Sequence, residues 1–170
     1  MDIRLLTEAD AQKWWGLRLQ ALREEPQAFG SSYQTALAIP EAEKLAQFSQ
    51  RISNSDNFIV GAFDGNLLVG MMGLFRENGP KSQHRANIWG VYVALEARQQ
   101  GVAKALLRKL IEHTRKIPDL EQLHLGVVTL QTAARQLYLS QGFKIYGTEP
   151  HALKIDNQYF DEDLMVLRLG

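Results

Sequence analysis

Apolar residues along the chain change their period several times, and each change marks an element. Ile3 to Leu6 is a short apolar run that reads as a first strand. Thr7-Glu8-Ala9-Asp10 has a threonine followed three positions later by an acid, a helix-start signature. Ala11, Trp15, Leu19 and Leu22 then fall on one helical face, and Pro26 ends the pattern. Phe29-Gly30-Ser31-Ser32-Tyr33 reads as a turn-rich loop. Pro40 opens a second helix through about Ile52, with Glu41 and Glu43 in the first turn, where the helix dipole favours acids.

From Phe58 the period shortens. Phe58 to Phe63 is a strand, Asp64-Gly65-Asn66 a hairpin turn, and Leu67 to Arg76 the returning strand. Glu77 to Gln83 is a second turn containing Gly79-Pro80, and His84 to Val93 is a third strand, so the three form an antiparallel meander. A helix follows from about Gln99 to Lys116, with Val102, Ala103, Leu106, Leu107, Leu110 and Ile111 as its buried stripe. After Pro118 come a strand at Gln122 to Val128, a helix at Gln131 to Gln141 ended by Gly142, a strand starting at Phe143 to Tyr146, and a last strand at Leu164 to Leu169. The order predicts one mixed α/β domain over residues 1–170.

Composition narrows the partners. Lys plus Arg and Asp plus Glu are equal at 19 each, which argues against a broad nucleic-acid face. The absence of cysteine excludes a disulfide framework and a thiol nucleophile, and the four histidines lack metal-ligand spacing, so no metal is expected. The first residues lack the apolar run of a signal peptide and no stretch reaches membrane-spanning length; a cytoplasmic location is the default expectation.

One segment carries chemistry in its pattern. Val91-Tyr92-Val93 ends a strand, Arg98-Gln99-Gln100-Gly101 forms a polar turn, and Val102-Ala103-Lys104 begins a helix. A strand that passes to a helix through glycine gathers free backbone N–H groups at the helix start, and these bind phosphate with the help of the helix dipole. Gly101 and the small Ala103 let a bulky anion approach, and Lys104 and Arg108 add charge one turn apart. Read alone, the segment is either such a cradle or an ordinary polar loop. It is neither a nucleoside-triphosphate P-loop nor a G-x-G-x-x-G loop.

A second segment runs from Gln131 to Phe143. Ala134 and Tyr138 share a helical face there. A phenol, with an ordinary pKa of about 10, can protonate a leaving thiolate of pKa about 8.5 to 9. Packing of Tyr138 against Phe143 in the core is the commoner fate of such a residue.

Together the two segments resemble the GNAT superfamily of acetyl-CoA-dependent N-acetyltransferases. The first matches its acetyl-CoA signature, a valine followed five residues later by R/Q-x-x-G-x-G/A; the second resembles its N-x-x-A-x-x-L-Y-x-x-x-G-F signature. The stretch from Trp14 to Ser32 also looks like the N-terminal half of many small members. The resemblance implies the GNAT fold, a mostly antiparallel mixed sheet with a central splayed parallel strand pair flanked by helices. It implies that Val91, Tyr92 and Val93 run beside the pantetheine arm of acetyl-CoA, and that Gln99, Gln100, Gly101, Val102, Ala103 and Lys104, bordered by Arg98, cradle the pyrophosphate. Gln131 would bind the cofactor near the slot, and Tyr138 would act as general acid. The implied reaction is direct attack of an amine on the thioester. The alternative from another class is a catalytically weak acyl-CoA-binding sensor or partner-binding module. Dimers are common in the superfamily, which leaves a homodimer open.

Two departures from the family pattern matter. Gln131 stands where asparagine is frequent, and Asn87 falls near the usual place of a glutamate base, which asparagine cannot replace. His84 and Glu77 lie nearby in sequence without being aimed at the slot. A weak base suits an amine of low pKa, since an α-amine near about 8 is about a tenth neutral at pH 7 whereas a lysine amine is neutral only to about one part in a few thousand. Asn87, Trp89 and Arg18 are the candidate acceptor-pocket residues. Trp89 is read as pocket floor or as packing beneath the sheet, Arg18 as meeting an acidic substrate group or pairing with Glu24 or Glu25. Trp15 fits the core; Trp14 reads as surface packing, less often as a wall of the substrate site. Asp161-Glu162-Asp163 reads as a solvated turn before the last strand, less often as a lure for a cationic acceptor.

Overall fold

Strands β2 (Asn57–Asp64) and β3 (Leu67–Arg76) are buried on nearly every residue, so both faces of the sheet are covered there. Helix α1 (Ala11–Glu24) covers β3 on one face, and α4 (Val102–Thr114) packs on β2 and β3. The computed structural model describes all residues from Met1 to Gly170. The remaining helices are α2 (Tyr33–Leu37), α3 (Glu41–Arg51) and α5 (Thr132–Ser140). The other strands are β1 (Asp2–Leu5), β4 (Arg85–Val93), β5 (Gln122–Val128), β6 (Lys144–Ile155) and β7 (Gln158–Arg168). They form one seven-stranded sheet in the order β1-β2-β3-β4-β5-β7-β6.

All pairings are antiparallel except β4 with β5. That parallel pair holds over only three residues, Arg85, Ala86 and Asn87 against Gln122, Leu123 and His124. Beyond Asn87 and His124 the two strands part. A bulge drives the parting. Between Met71 and Gly73 on β3 the partner residues move from Tyr92 to Trp89, one residue more on β4 than on β3. The bulge takes Gly90 at φ +61°, a conformation costly for any side chain.

Three expectations are corrected. Trp14 is a core residue, not a surface one: it is 1% exposed, edge-on to Trp15 at 4.9 Å and tilted on Phe48 at 5.4 Å. Adjacent tryptophans are both buried because α1 is covered on two sides, by the sheet and by α2 and α3. The loop around Ser32 contains α2, capped by the Ser32 hydroxyl accepting from the Thr35 N–H at 3.1 Å.

The third correction concerns the chain end. Asp161-Glu162-Asp163 is no turn; it lies inside β7, which forms a long hairpin with β6. Asp156 and Asn157, at φ +46° and +64°, make the tight turn, the geometry that matches the twist of a hairpin. Much of β6 is an exposed edge, which is why it tolerates Pro150 and lacks an apolar signature. No helix is long and apolar enough to cross a membrane.

Candidate active site

Where β4 and β5 part, a cleft of about 300 Å³ opens. Ile88, Trp89, Gly90 and Val91 line it from β4, and Leu125, Gly126 and Val127 from β5. Gln131 and Tyr138 reach it from α5, Glu162 from β7 and Arg18 from α1. The predicted residues Val91, Trp89, Arg18, Gln131 and Tyr138 are therefore brought together. Trp89 is among the lining residues, and its indole also packs over Gly73 of β3. Arg18 pairs with neither Glu24 nor Glu25: its Nη2 donates to the Ser31 hydroxyl at 3.3 Å, and Glu25 is taken by Arg98 at 2.7 Å.

At the far end of β4 the chain turns into α4. Gln99 and Gly101 adopt positive φ angles of 60° and 75°. The first bonded amide of the helix is Ala105, which donates to the Gly101 carbonyl at 3.0 Å; the N–H groups of Gln99 to Lys104 find no backbone acceptor. A side chain built on Gly101 would meet nothing within 4 Å, so the approach to these amides is open. Lys104 is exposed beside them, whereas the Val102 side chain is buried in the core and only its amide faces out. The donor set suits an anion such as pyrophosphate.

Two residues predicted to bind the cofactor have side chains engaged within the protein. The Arg98 guanidinium turns back into the loop, donating from Nε to the Val93 carbonyl at 2.9 Å and pairing with Glu25. It holds the turn in shape and does not extend over the amides. Tyr92 is 2% exposed, and its hydroxyl donates to Glu24. Burial and that neighbouring carboxylate push the Tyr92 phenol well above its ordinary range. The Val91 and Val93 backbones, past the last β4–β5 pair, retain the edge needed to bond an extended ligand.

Asn87 is not part of the cleft lining, a correction to its expected place in the acceptor pocket. It sits at the last paired position with β5 and donates to Glu77 at 3.3 Å. Glu77 is itself held low by Arg85, 2.8 Å away, so it is a structural carboxylate.

Tyr138 is 4% exposed, with its ring edge-on to Phe143 at 5.7 Å, so the packing and cleft readings both hold. Burial raises its phenol well above the ordinary value and keeps it protonated. The carboxylate that sequence reasoning missed is Glu162. It lines the cleft, and its Oε2 lies 2.9 Å from where a Cβ on Gly126 would sit. Burial first, and then the charge of Glu149, push it above the usual carboxylate range. Next to it Asp163 accepts from Arg135 Nε and Thr148 Oγ1, both at 2.7 Å, which ties the helix bearing Tyr138 to the strand bearing Glu162. Three acids alternating across a strand were the available signal, but it was unreadable without the hairpin.

The fold and the cleft match a known class. Residues 19–143 fit the model of the acetyltransferase (GNAT) family. The chain belongs to that family. It is similar to N-alpha-acetyltransferase RimI of Mycobacterium tuberculosis, 33% identical over 60% of this chain and 61% of that one. It is similar to human N-acetyltransferase 8, 35% identical over 47% of this chain and 35% of that one. The chain thus spans about a third of one of these relatives and about three fifths of the other. Among solved structures it superposes on yncA of Salmonella typhimurium, described with its cofactor acetyl-CoA, at a TM-score of 0.86 and 18% identity, covering 100% of this chain and 94% of that one.

Proposed function

We propose that this chain transfers the acetyl group of acetyl-CoA to a primary amine by direct attack, with Glu162 as general base and Tyr138 as general acid. The observation that carries the reading is one cleft, opened by the β4 bulge and lined by a raised carboxylate and a protonated phenol, with a set of free amides where the same strand turns into α4. The amides of Gln99 to Lys104 would hold the pyrophosphate, the freed edge of Val91 to Val93 the pantetheine arm, and Gln131 its inner end. Bound there, acetyl-CoA supplies an acyl carbon activated by a good leaving sulfur.

Glu162 takes a proton from the incoming ammonium, freeing the nitrogen lone pair for attack. Its raised affinity for protons makes it a stronger base than an ordinary carboxylate. Tyr138 gives its proton to the departing sulfur. Burial raises the phenol, but it disfavours a bare thiolate in the same dry site too, so the transfer depends on their difference.

The test is a thermal melt with and without acetyl-CoA, followed by thiol release with an amine panel. Acetyl-CoA should raise the midpoint, since a ligand of the native state alone stabilises it. Gly101→Trp should abolish the shift by closing the cradle. Tyr138→Phe should keep it while slowing turnover. A midpoint unmoved by millimolar acetyl-CoA sinks the reading.

A further inference from the structure

The partly or fully buried arginines of this protein are paired, with two exceptions. Arg4 meets Asp10, Arg76 Asp56, Arg85 Glu77, Arg98 Glu25 and Arg135 Asp163, at 2.7 to 3.1 Å. Arg18 and Arg51 make no ion pair. Arg18 is only 6% exposed, and its single hydrogen bond within the chain is the 3.3 Å contact to Ser31. Arg51 is half-buried at the end of α3, and its Nε is buried without any partner. The two guanidiniums share the same pair of aromatic rings. Arg18 stands 5.4 Å from the Trp14 centroid and 5.9 Å from Trp89; Arg51 stands 5.6 Å from Trp14 and 4.6 Å from Trp89.

Placing two like charges on one pair of rings is unfavourable without an anion between or beside them. Burial, and then the Arg51 charge, pull the Arg18 guanidinium down to about 10, which still leaves it cationic at neutral pH. Burial lowers Arg51 as well. Ring faces offset part of this cost, but a ring provides neither hydrogen-bond acceptors nor a full negative charge. Glu162 lines the same cleft as Arg18, yet the two do not pair. The cleft therefore carries a carboxylate and a separate cationic group, and each lacks an opposite charge.

Arg18 lines the cleft, and Arg51, outside that lining, adds its charge on the same two rings; we propose that Arg18, supported by the Arg51 charge, binds the acid group of the acceptor, so that the acceptor is a small amino acid held by its carboxylate with its amine toward Glu162. This rests on the N-acetyltransferase reading and specifies its acceptor. A planar guanidinium offers paired N–H donors that fit a carboxylate, and Arg18 reaches the cleft beside Gly90, where no side chain intervenes. The cleft of about 300 Å³ suits a free amino acid.

The experiment compares matched pairs. L-alanine, L-glutamate, L-methionine and L-phenylalanine are assayed against their carboxamides by thiol release from acetyl-CoA. In parallel, the N-acetyl acids and N-acetyl amides are titrated onto the protein with CoA present, following emission of the tryptophans that flank the arginines. Amides carry the less basic amine, so intrinsic reactivity runs against the expected result. Acids should be preferred at least about tenfold in kcat/KM and in binding. Arg18→Gln and Arg51→Gln should each raise KM and Kd for the acids by at least about tenfold more than for the amides. Arg51, the more exposed, keeps the test readable if the Arg18 variant folds poorly.

Acids and amides used equally, variants that weaken both alike, or a panel in which no acid binds would each overturn the proposal. Preference for a peptide N-terminus followed by acidic residues over every free amino acid would overturn it too. Loss of the acetyl-CoA thermal shift in the unaltered protein would instead sink the transferase reading beneath it.

Discussion

Glu162 and Gly126 form a matched pair across β5 and β7: the carboxylate occupies the space that a side chain at Gly126 would fill, with Oε2 2.9 Å from the position of the missing Cβ. The carboxylate proposed as base thus comes from the last strand and sits against a glycine of the neighbouring strand β5. Gly126→Ala should cost little stability, because the far end of a flexible side chain is what must move. It should nevertheless lower kcat by displacing the carboxylate. Glu162→Gln should lower kcat by about a hundredfold while leaving the acetyl-CoA thermal shift in place. Because burial raises Glu162, the acidic limb of the unaltered enzyme's pH–rate profile should lie above the ordinary carboxylate range, with activity rising as Glu162 loses its proton. An unchanged limb in Glu162→Gln would assign the base elsewhere.

The legible part of this protein was local. The meander, the α4 start and the Gln131 to Phe143 segment are each written in consecutive residues, through glycine at positive φ and through apolar period. The place of Glu162 was illegible because it approaches Gly126 from far along the chain, on a hairpin whose outer strand is too exposed to carry a pattern. Arg51 was missed for a related reason. It shares a helix face with the fully buried Phe48, three residues earlier, but nothing in α3 indicates that the face ends beside Trp89. Arg98 shows the reverse: its motif position was legible, while its partner Glu25 comes from the end of α1.

Trp89 lies flat against β3 because Gly73 has no side chain. A Cβ there would fall 2.3 to 2.6 Å from three atoms of the indole. The ring is rigid and is flanked by Trp14 at 6.1 Å and by Arg51, so it cannot swing away without moving both. Gly73→Ala should therefore destabilise the fold by about 1–3 kcal/mol, as overpacking does. It should also shift the tryptophan emission and narrow the acceptor side of the cleft more than the acetyl-CoA side. Chemical denaturation with the emission spectrum of the native state checks both effects; wild-type stability with an unshifted spectrum would show that Trp89 does not depend on Gly73.

Asp10 sets the acid limit of the N-terminal region. Its carboxylate accepts from both terminal nitrogens of Arg4, each at 2.8 Å, and from the Thr7 N–H at 2.8 Å. The Arg4 hydrogen bond is the main reason that its pKa is held at about 2, below the ordinary 3.8. A carboxylate with a depressed folded-state pKa binds protons more readily in the unfolded chain, so it stabilises the fold above the unfolded pKa. That contribution is lost as pH falls through the folded value. The window is therefore about pH 4 to 2. Arg4 is 39% exposed on its side chain, and solvent screens the pair, so the contribution is about 1–2 kcal/mol. Asp10→Asn should lose about that much at pH 7, and its stability should decline less than that of the unaltered protein between pH 4 and 2. Urea melts at stepped pH measure the two curves; if they stay parallel through the window, Asp10 is not the group that titrates.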